Sequence, residues 1–165
     1  MKTIPSISKA IAILLFLGML QHISYAQDST QQQTIQHQVL DKDFVFEAQT
    51  ILPQRGITRQ LTSNYFLQVS KDTVISDLPY FGRAYSAPIN PGEGGIRFTS
   101  TSFEYSSKDR KKGGWDILIK PKGVNDVQQM LLSVFTNGRA SLQVISNNRQ
   151  AISFDGVIKE RKKNG

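Results

Sequence analysis

The sequence predicts an all-β fold, an antiparallel up-and-down meander of about eight or nine strands closed into a small barrel. Three observations predict it. Apolar and polar residues alternate with period two from Phe44 almost to the C-terminus. The alternating runs are separated by short turn signals such as Lys71-Asp72, Asn137-Gly138 and Asn147-Asn148. Finally, no long amphipathic helix and no internal repeat interrupts them. A meander of sequential hairpins has two open edges, and closing the sheet on itself is the simplest way to remove them.

The chain begins with a different kind of segment. Lys2 and Lys9 precede an apolar run over residues 10–20, and Ser24-Tyr25-Ala26 places small residues where a signal peptidase reads. Residues 1–26 therefore read as a secretory signal peptide cleaved after Ala26. The run is too short for a transmembrane helix, which needs roughly 20 apolar residues. The remaining 27–165 is one domain by length, and no cysteine is present in the 165 residues. That excludes a disulfide scaffold, a thiolate nucleophile and a lipoprotein anchor. The expected product is exported, in the periplasm or outside the cell. The net charge is +7, partly from the leader, and basic runs occur at Arg110-Lys111-Lys112 and Arg161-Lys162-Lys163. Such runs suit solvated loop tips and tails, and in an exported protein nucleic acid is a poor partner.

The elements follow in order. Residues 27–43 are polar and Gln-rich, a flexible lead or a short, weakly held helix. The barrel domain spans 44–158, and 159–165 is a basic tail. Phe44, Phe46 and Ala48 alternate with Val45, Glu47 and Gln49; Tyr65, Leu67 and Val69 form a second strand, and Val74 and Leu78 a third. Strands follow around Ile96–Phe98, Phe103–Tyr105 and Trp115–Ile119. Residues 124–130 read as a short helical or irregular lead into an apolar strand over 130–136. Asn137-Gly138 suits a type I′ hairpin turn, because both residues tolerate positive φ. Ala140, Leu142 and Val144 and then Ile152, Phe154, Gly156 and Ile158 close the domain. The long connection is 79–95, rich in proline and glycine but carrying Tyr80, Phe81, Arg83 and Tyr85. A connection of that length in a compact domain usually packs or works.

Several segments together resemble a known family: residues 78–85, Gly94-Gly95-Ile96 with Phe98, Asn137-Gly138-Arg139-Ala140, and Ile152-Ser153-Phe154-Asp155-Gly156. They are similar to exported Bacteroidetes proteins grouped as domain-of-unknown-function family 4251. The likeness runs over about 44–158. It implies a lipocalin-like barrel and an exported location, and it brings no catalytic residues.

The chemistry the chain lacks is informative. His37 is the one histidine beyond the leader, so zinc or copper sites and a serine triad lack their parts. No acidic residues fall in a calcium-loop pattern. Gly92-Glu93-Gly94-Gly95 lacks the lysine and hydroxyl of a phosphate loop. Neither a metal nor a cofactor is expected. Glu47, Glu104, Asp116 and Asp155 sit opposite apolar faces, on the side expected to meet solvent, which leaves a carboxylate hydrolase a distant third reading.

Binding is the better expectation. Small barrels either fill their interior with side chains or hold one small ligand. The first reading is a non-enzymatic envelope protein holding a small apolar or amphiphilic ligand inside the barrel or at its mouth. Tyr80, Phe81 and Tyr85 would then form a lid, Arg83 would meet an anionic head group, and Trp115 would anchor a barrel end. The second is a solid-core module that binds another envelope protein through an exposed edge or the aromatic loop. A continuous cavity above about 300 Å³ inside the barrel would favour the first. A packed interior would favour the second.

Overall fold

The computed structural model describes residues 23–85 and 94–161. Residues 1–22, 86–93 and 162–165 lie outside the described residues, and with them most of the segment read as a signal peptide and of the basic tail. One helix, α1 (Ile23–Asp41), precedes nine strands: β1 (Phe44–Pro53), β2 (Arg59–Val69), β3 (Val74–Leu78), β4 (Ile96–Ser100), β5 (Phe103–Asp109), β6 (Trp115–Pro121), β7 (Val127–Val134), β8 (Arg139–Ser146) and β9 (Ile152–Lys159). Their order in the single sheet is β4-β3-β2-β1-β9-β8-β7-β6-β5. Every pair is antiparallel, and each strand lies beside its sequence neighbour except at one place. The ring closes between β1 and β9 and stays open between β4 and β5. The result is a nearly closed up-and-down barrel with one seam, as the alternation predicts.

Period-two patterning places the core. Inward positions are buried along β1 (Phe44, Phe46, Ala48, Ile51), β6 (Trp115, Ile117, Ile119), β8 (Ala140, Leu142, Val144) and β9 (Ile152, Phe154). The period breaks at two β-bulges: one between Ala48 and Thr50 turns Ile51 inward three residues after Ala48, and one between Val127 and Gln129 does the same for Met130 after Val127. Opposite Ala48, Gly156 lets two backbones approach closely. A Cβ there would lie 2.9 Å from the Glu47 carbonyl carbon and 3.0 Å from Phe46 Cε2.

The interior is filled. Phe44, Phe46, Phe154, Ile51, Leu67, Leu78, Met130 and Leu132 each expose less than 2 % of their surface. A void large enough for one water would leave the side chains around it measurably exposed, so these residues pack against one another. None of these side chains lines a space that a ligand held inside the barrel would occupy.

Of residues 27–43, read as a flexible lead or a short helix, 27–41 belong to α1. Its Ile35 and Val39 are buried in the core cluster while His37 and Leu40 face outward. The helix stops at a Schellman-type turn, with Lys42 at φ 54° and the Asp43 N–H donating to Gln38 O at 3.0 Å. Tyr105 on β5 donates to Val39 O at 2.8 Å, and Lys42 Nζ lies 5.3 Å from the same ring. Burial pushes the Tyr105 phenol well above its ordinary pKa. No helix among the described residues is long and apolar enough to cross a membrane.

Candidate functional site

At one end of the barrel three segments meet and are tied together by a single side chain. The first is the start of the long connection after β3, the second the loop between β6 and β7 (122–126), and the third the turn between β8 and β9 (147–151). The Arg149 side chain is only 14 % exposed and forms an ion pair with Asp126 Oδ2 at 2.8 Å. It also donates from Nη1 to Gly95 O at 3.0 Å, and its guanidinium lies 5.1 Å from the centre of the Tyr80 ring. That geometry combines a charge-assisted hydrogen bond with a cation–π contact.

Backbone contacts surround this knot. Tyr85 N–H donates to Asn148 O, Gln150 N–H to Arg83 O, and Asn147 N–H to Asp126 O, at 2.8, 3.0 and 2.8 Å. The Tyr80 hydroxyl reaches the Arg83 and Gln150 carbonyl oxygens at 2.8 and 3.1 Å. Burial raises the Tyr80 pKa, and the nearby Arg149 charge pulls it partly back. The opening of the long connection therefore folds onto the barrel end, as its aromatic content suggested.

Between these parts runs a cleft of about 630 Å³ lined by Gly95 to Thr99 on one side, Gly123 to Val127 on the other, and Arg149. Asp126 lines it, and the residue's Oδ1 is buried without a hydrogen-bond partner among the described residues. A buried carboxylate oxygen in that condition is costly, and a donor supplied from outside would relieve it. Ile96, Phe98 and Val124 give the cleft an apolar flank. A slightly larger hollow of about 680 Å³ lies on the outer face, beside Gln49, Arg139, Ser141 and Asp155. It lies over strands paired on both sides, and no buried unpartnered side-chain atom lines it.

The expected site residues divide. Tyr80 is in the mouth, against Arg149. Arg83 is exposed and contributes its backbone carbonyl, so the cation stacked on Tyr80 is Arg149. Phe81 is 45 % exposed with the Arg59 guanidinium 5.1 Å from its ring, and Tyr85 is 72 % exposed. Trp115 is 5 % exposed and packs in the core at the start of β6. That is the strand end opposite the mouth, roughly 20 Å away at the rise of a β-strand. Arg149 and Asp126 had no motif to announce them. The signal for Arg149 was its position directly after the Asn147-Asn148 turn, where a side chain is aimed back over the barrel end.

The comparisons fit this architecture. The model of a domain of unknown function, DUF4251, matches residues 26–158. The chain belongs to the DUF4251 family. A crystal structure of a DUF4251 family protein from Bacteroides eggerthii is similar in fold, with a TM-score of 0.60 at 18 % identity. That likeness covers 82 % of this chain and 91 % of the other. No curated protein matches the chain. DUF4251 membership assigns no ligand or reaction, and the crystal structure's likeness is one of fold. Among the described residues no group of three or more acidic or histidine side chains is arranged to hold a metal ion.

Proposed function

We propose that the chain is an exported, non-enzymatic binding module of the cell envelope that engages a partner protein at its mouth cleft, outside a solid core. The filled interior argues against a carrier with an internal ligand. The observation that carries the reading is the unpartnered Asp126 Oδ1, buried beside Arg149 in a cleft with an apolar flank. Binding sites characteristically combine an apolar wall with a few convergent polar groups.

The test is site-specific photo-cross-linking of the chain expressed with its own leader. A benzophenone side chain at Thr99, in the cleft, should capture a discrete envelope partner. The same group at Gln143, on the outer face, should not. Asn125→Trp, which fills the cleft and removes no side-chain hydrogen bond made by Asn125 among the described residues, should abolish the capture. Equal capture from Thr99 and Gln143, or capture unaffected by Asn125→Trp, would overturn the reading.

A further inference from the structure

The cleft has a shape that narrows the partner's chemistry. Ile96 is buried, and Arg97 and Thr99 point outward, yet all five consecutive residues from Gly95 to Thr99 line the same cleft. Side chains on opposite faces of a strand border one space only when that space runs along the strand's edge. The edge in question is open. β4 is a terminal strand of the sheet, paired with β3 on one side through Leu78↔Ile96 to Val74↔Ser100 and, among the described residues, with no strand on the other. The far wall is also a run of five consecutive residues, Gly123 to Val127. The cleft is therefore a slot along the edge of β4, and five extended residues span roughly 17 Å.

The other end of the sheet is treated differently. β5 is also terminal, but α1 packs against it through Tyr105 Oη to Val39 O and Lys42 over the Tyr105 ring. The corner of β4 is fixed instead by side chains, with Ser100 Oγ 2.8 Å from Lys122 O and Arg149 holding Gly95 O. These contacts brace both ends of the slot and leave its length unfilled.

Resting on the proposed mouth-cleft function, we propose that the slot accepts an extended segment of the partner as an added strand on β4. The segment's backbone completes the open edge, the mode known as β-augmentation. Its side chains alternate: one set continues the apolar layer beside Phe98 and Val124, the other faces solvent past Arg97. One hydroxyl or amide donor of the segment meets Asp126 Oδ1. The donor is uncharged, because Arg149 already balances Asp126 and Arg97 already pairs with Asp77 at 2.7 Å. A further buried charge would be uncompensated.

The probe is a five-residue peptide of alternating valine and threonine, blocked at both ends, titrated into isotope-labelled protein and followed by NMR. Shifts should concentrate at Ile96 to Thr99 and Asn125 to Val127. Two analogues, each N-methylated at one alternate set of amides, decide the mode. Methylation of the set facing β4 should abolish binding, and methylation of the other set should be tolerated. Replacing the threonines by valine, or Asp126→Ala in the protein, should weaken binding by about tenfold, the worth of one hydrogen bond to a charged acceptor. Any other methylation pattern, shifts confined to another surface, or none at millimolar peptide would overturn strand addition. A concentration-dependent dimer with newly protected β4 amides would also overturn it, assigning the edge to a second copy. Cross-linking at Thr99 separates the two levels. Capture blocked by Asn125→Trp together with a failed methylation pattern keeps the mouth as the binding site and removes strand addition alone.

Discussion

The Arg149–Asp126 pair is the most informative place to perturb. Arg149→Ala removes a charge-assisted hydrogen bond at 2.8 Å, a second hydrogen bond to Gly95 O at 3.0 Å and the contact with the Tyr80 ring. Hydrogen bonds to charged groups are worth about 1.5–3 kcal/mol, and a cation–π contact in a partly exposed setting about 0.5–1 kcal/mol. Asp126 is 25 % exposed on its side chain, so water recovers part of its lost solvation. The expected net cost is about 3 kcal/mol. In a urea titration that lowers the midpoint by roughly 1–2 M for a domain of this size. Asp126→Ala alone should cost about 2 kcal/mol, because Arg149 keeps Gly95 and Tyr80. The double variant should fall short of the sum, leaving a coupling energy of about 1.5 kcal/mol. Arg97→Ala is the control. Its pair with Asp77 has nearly the same length, but the two side chains are 61 % and 40 % exposed, so the loss should stay under about 1 kcal/mol. If Arg149→Ala costs no more than Arg97→Ala, or if the cycle shows no coupling, the knot at the mouth does not hold the three segments together.

Three further outcomes follow from the fold. Gly156→Ala pushes a methyl against the Glu47 carbonyl at the bulge and should destabilise by about 1–3 kcal/mol in the same titration; a neutral result would mean the β1–β9 contact is looser than drawn. Tyr105→Phe removes the hydrogen bond to Val39 O and should cost about 1 kcal/mol, with faster amide exchange in α1 ahead of the barrel; unchanged exchange would show that α1 is held without it. Tyr80 and Tyr105 both have phenol pKa values raised by burial. Below the ordinary value of about 10 both states keep the proton, and above it the unfolded chain ionises first. Stability should therefore be flat up to that pH and fall as pH rises beyond it, and the Tyr80→Phe, Tyr105→Phe double variant should lose most of that alkaline slope.

Much of the architecture was legible because it depends on a period. Phe44/Phe46, Leu67/Val69, Ile117/Ile119 and Leu142/Val144 each announce a strand with one buried face, and Asn137-Gly138 marks the place of a turn. The turn type differs from the expected I′: only Gly138 has positive φ, at 79°, and its N–H donates to Phe135 O at 3.0 Å, so the reversal is made over 135–138 with the glycine closing it. The bulge at Ala48 was not legible, since a break in period looks like the end of a strand. Helix α1 was hidden for a related reason: its sequence has no apolar stripe, and only Ile35 and Val39 reach the core. Among site residues, Tyr80 was found because an aromatic in a long loop needs a place to pack. The cation on its ring, Arg149, is distant in sequence. Such encounters are set by tertiary structure, and no local spacing encodes them. Whether the barrel is hollow was equally beyond reach, since a set of large apolar residues is compatible with packing or with lining a cavity.

A barrel with a filled core offers a partner only its ends, its outer face and whatever edge it fails to close. On the outer face of β8, β9 and β1 the strands are paired on both sides, so a partner there could use side chains alone. The end nearest α1 carries the helix, with Gln31 Nε2 donating to Asn137 O at 3.2 Å across the β7–β8 turn. The seam at β4 differs because its unused backbone capacity and an unused carboxylate oxygen border the same space. An open edge is hazardous in proportion to its length, flatness and apolarity, and proteins shorten or charge the edges they cannot cover. β4 has five residues and carries Arg97 outward, which protects it from indiscriminate pairing. The wall at Gly123 to Val127 runs alongside it, so a partner reaching the edge also meets that loop. Those are the properties of an edge kept open selectively, and they are the reason we propose recognition at the seam of this barrel.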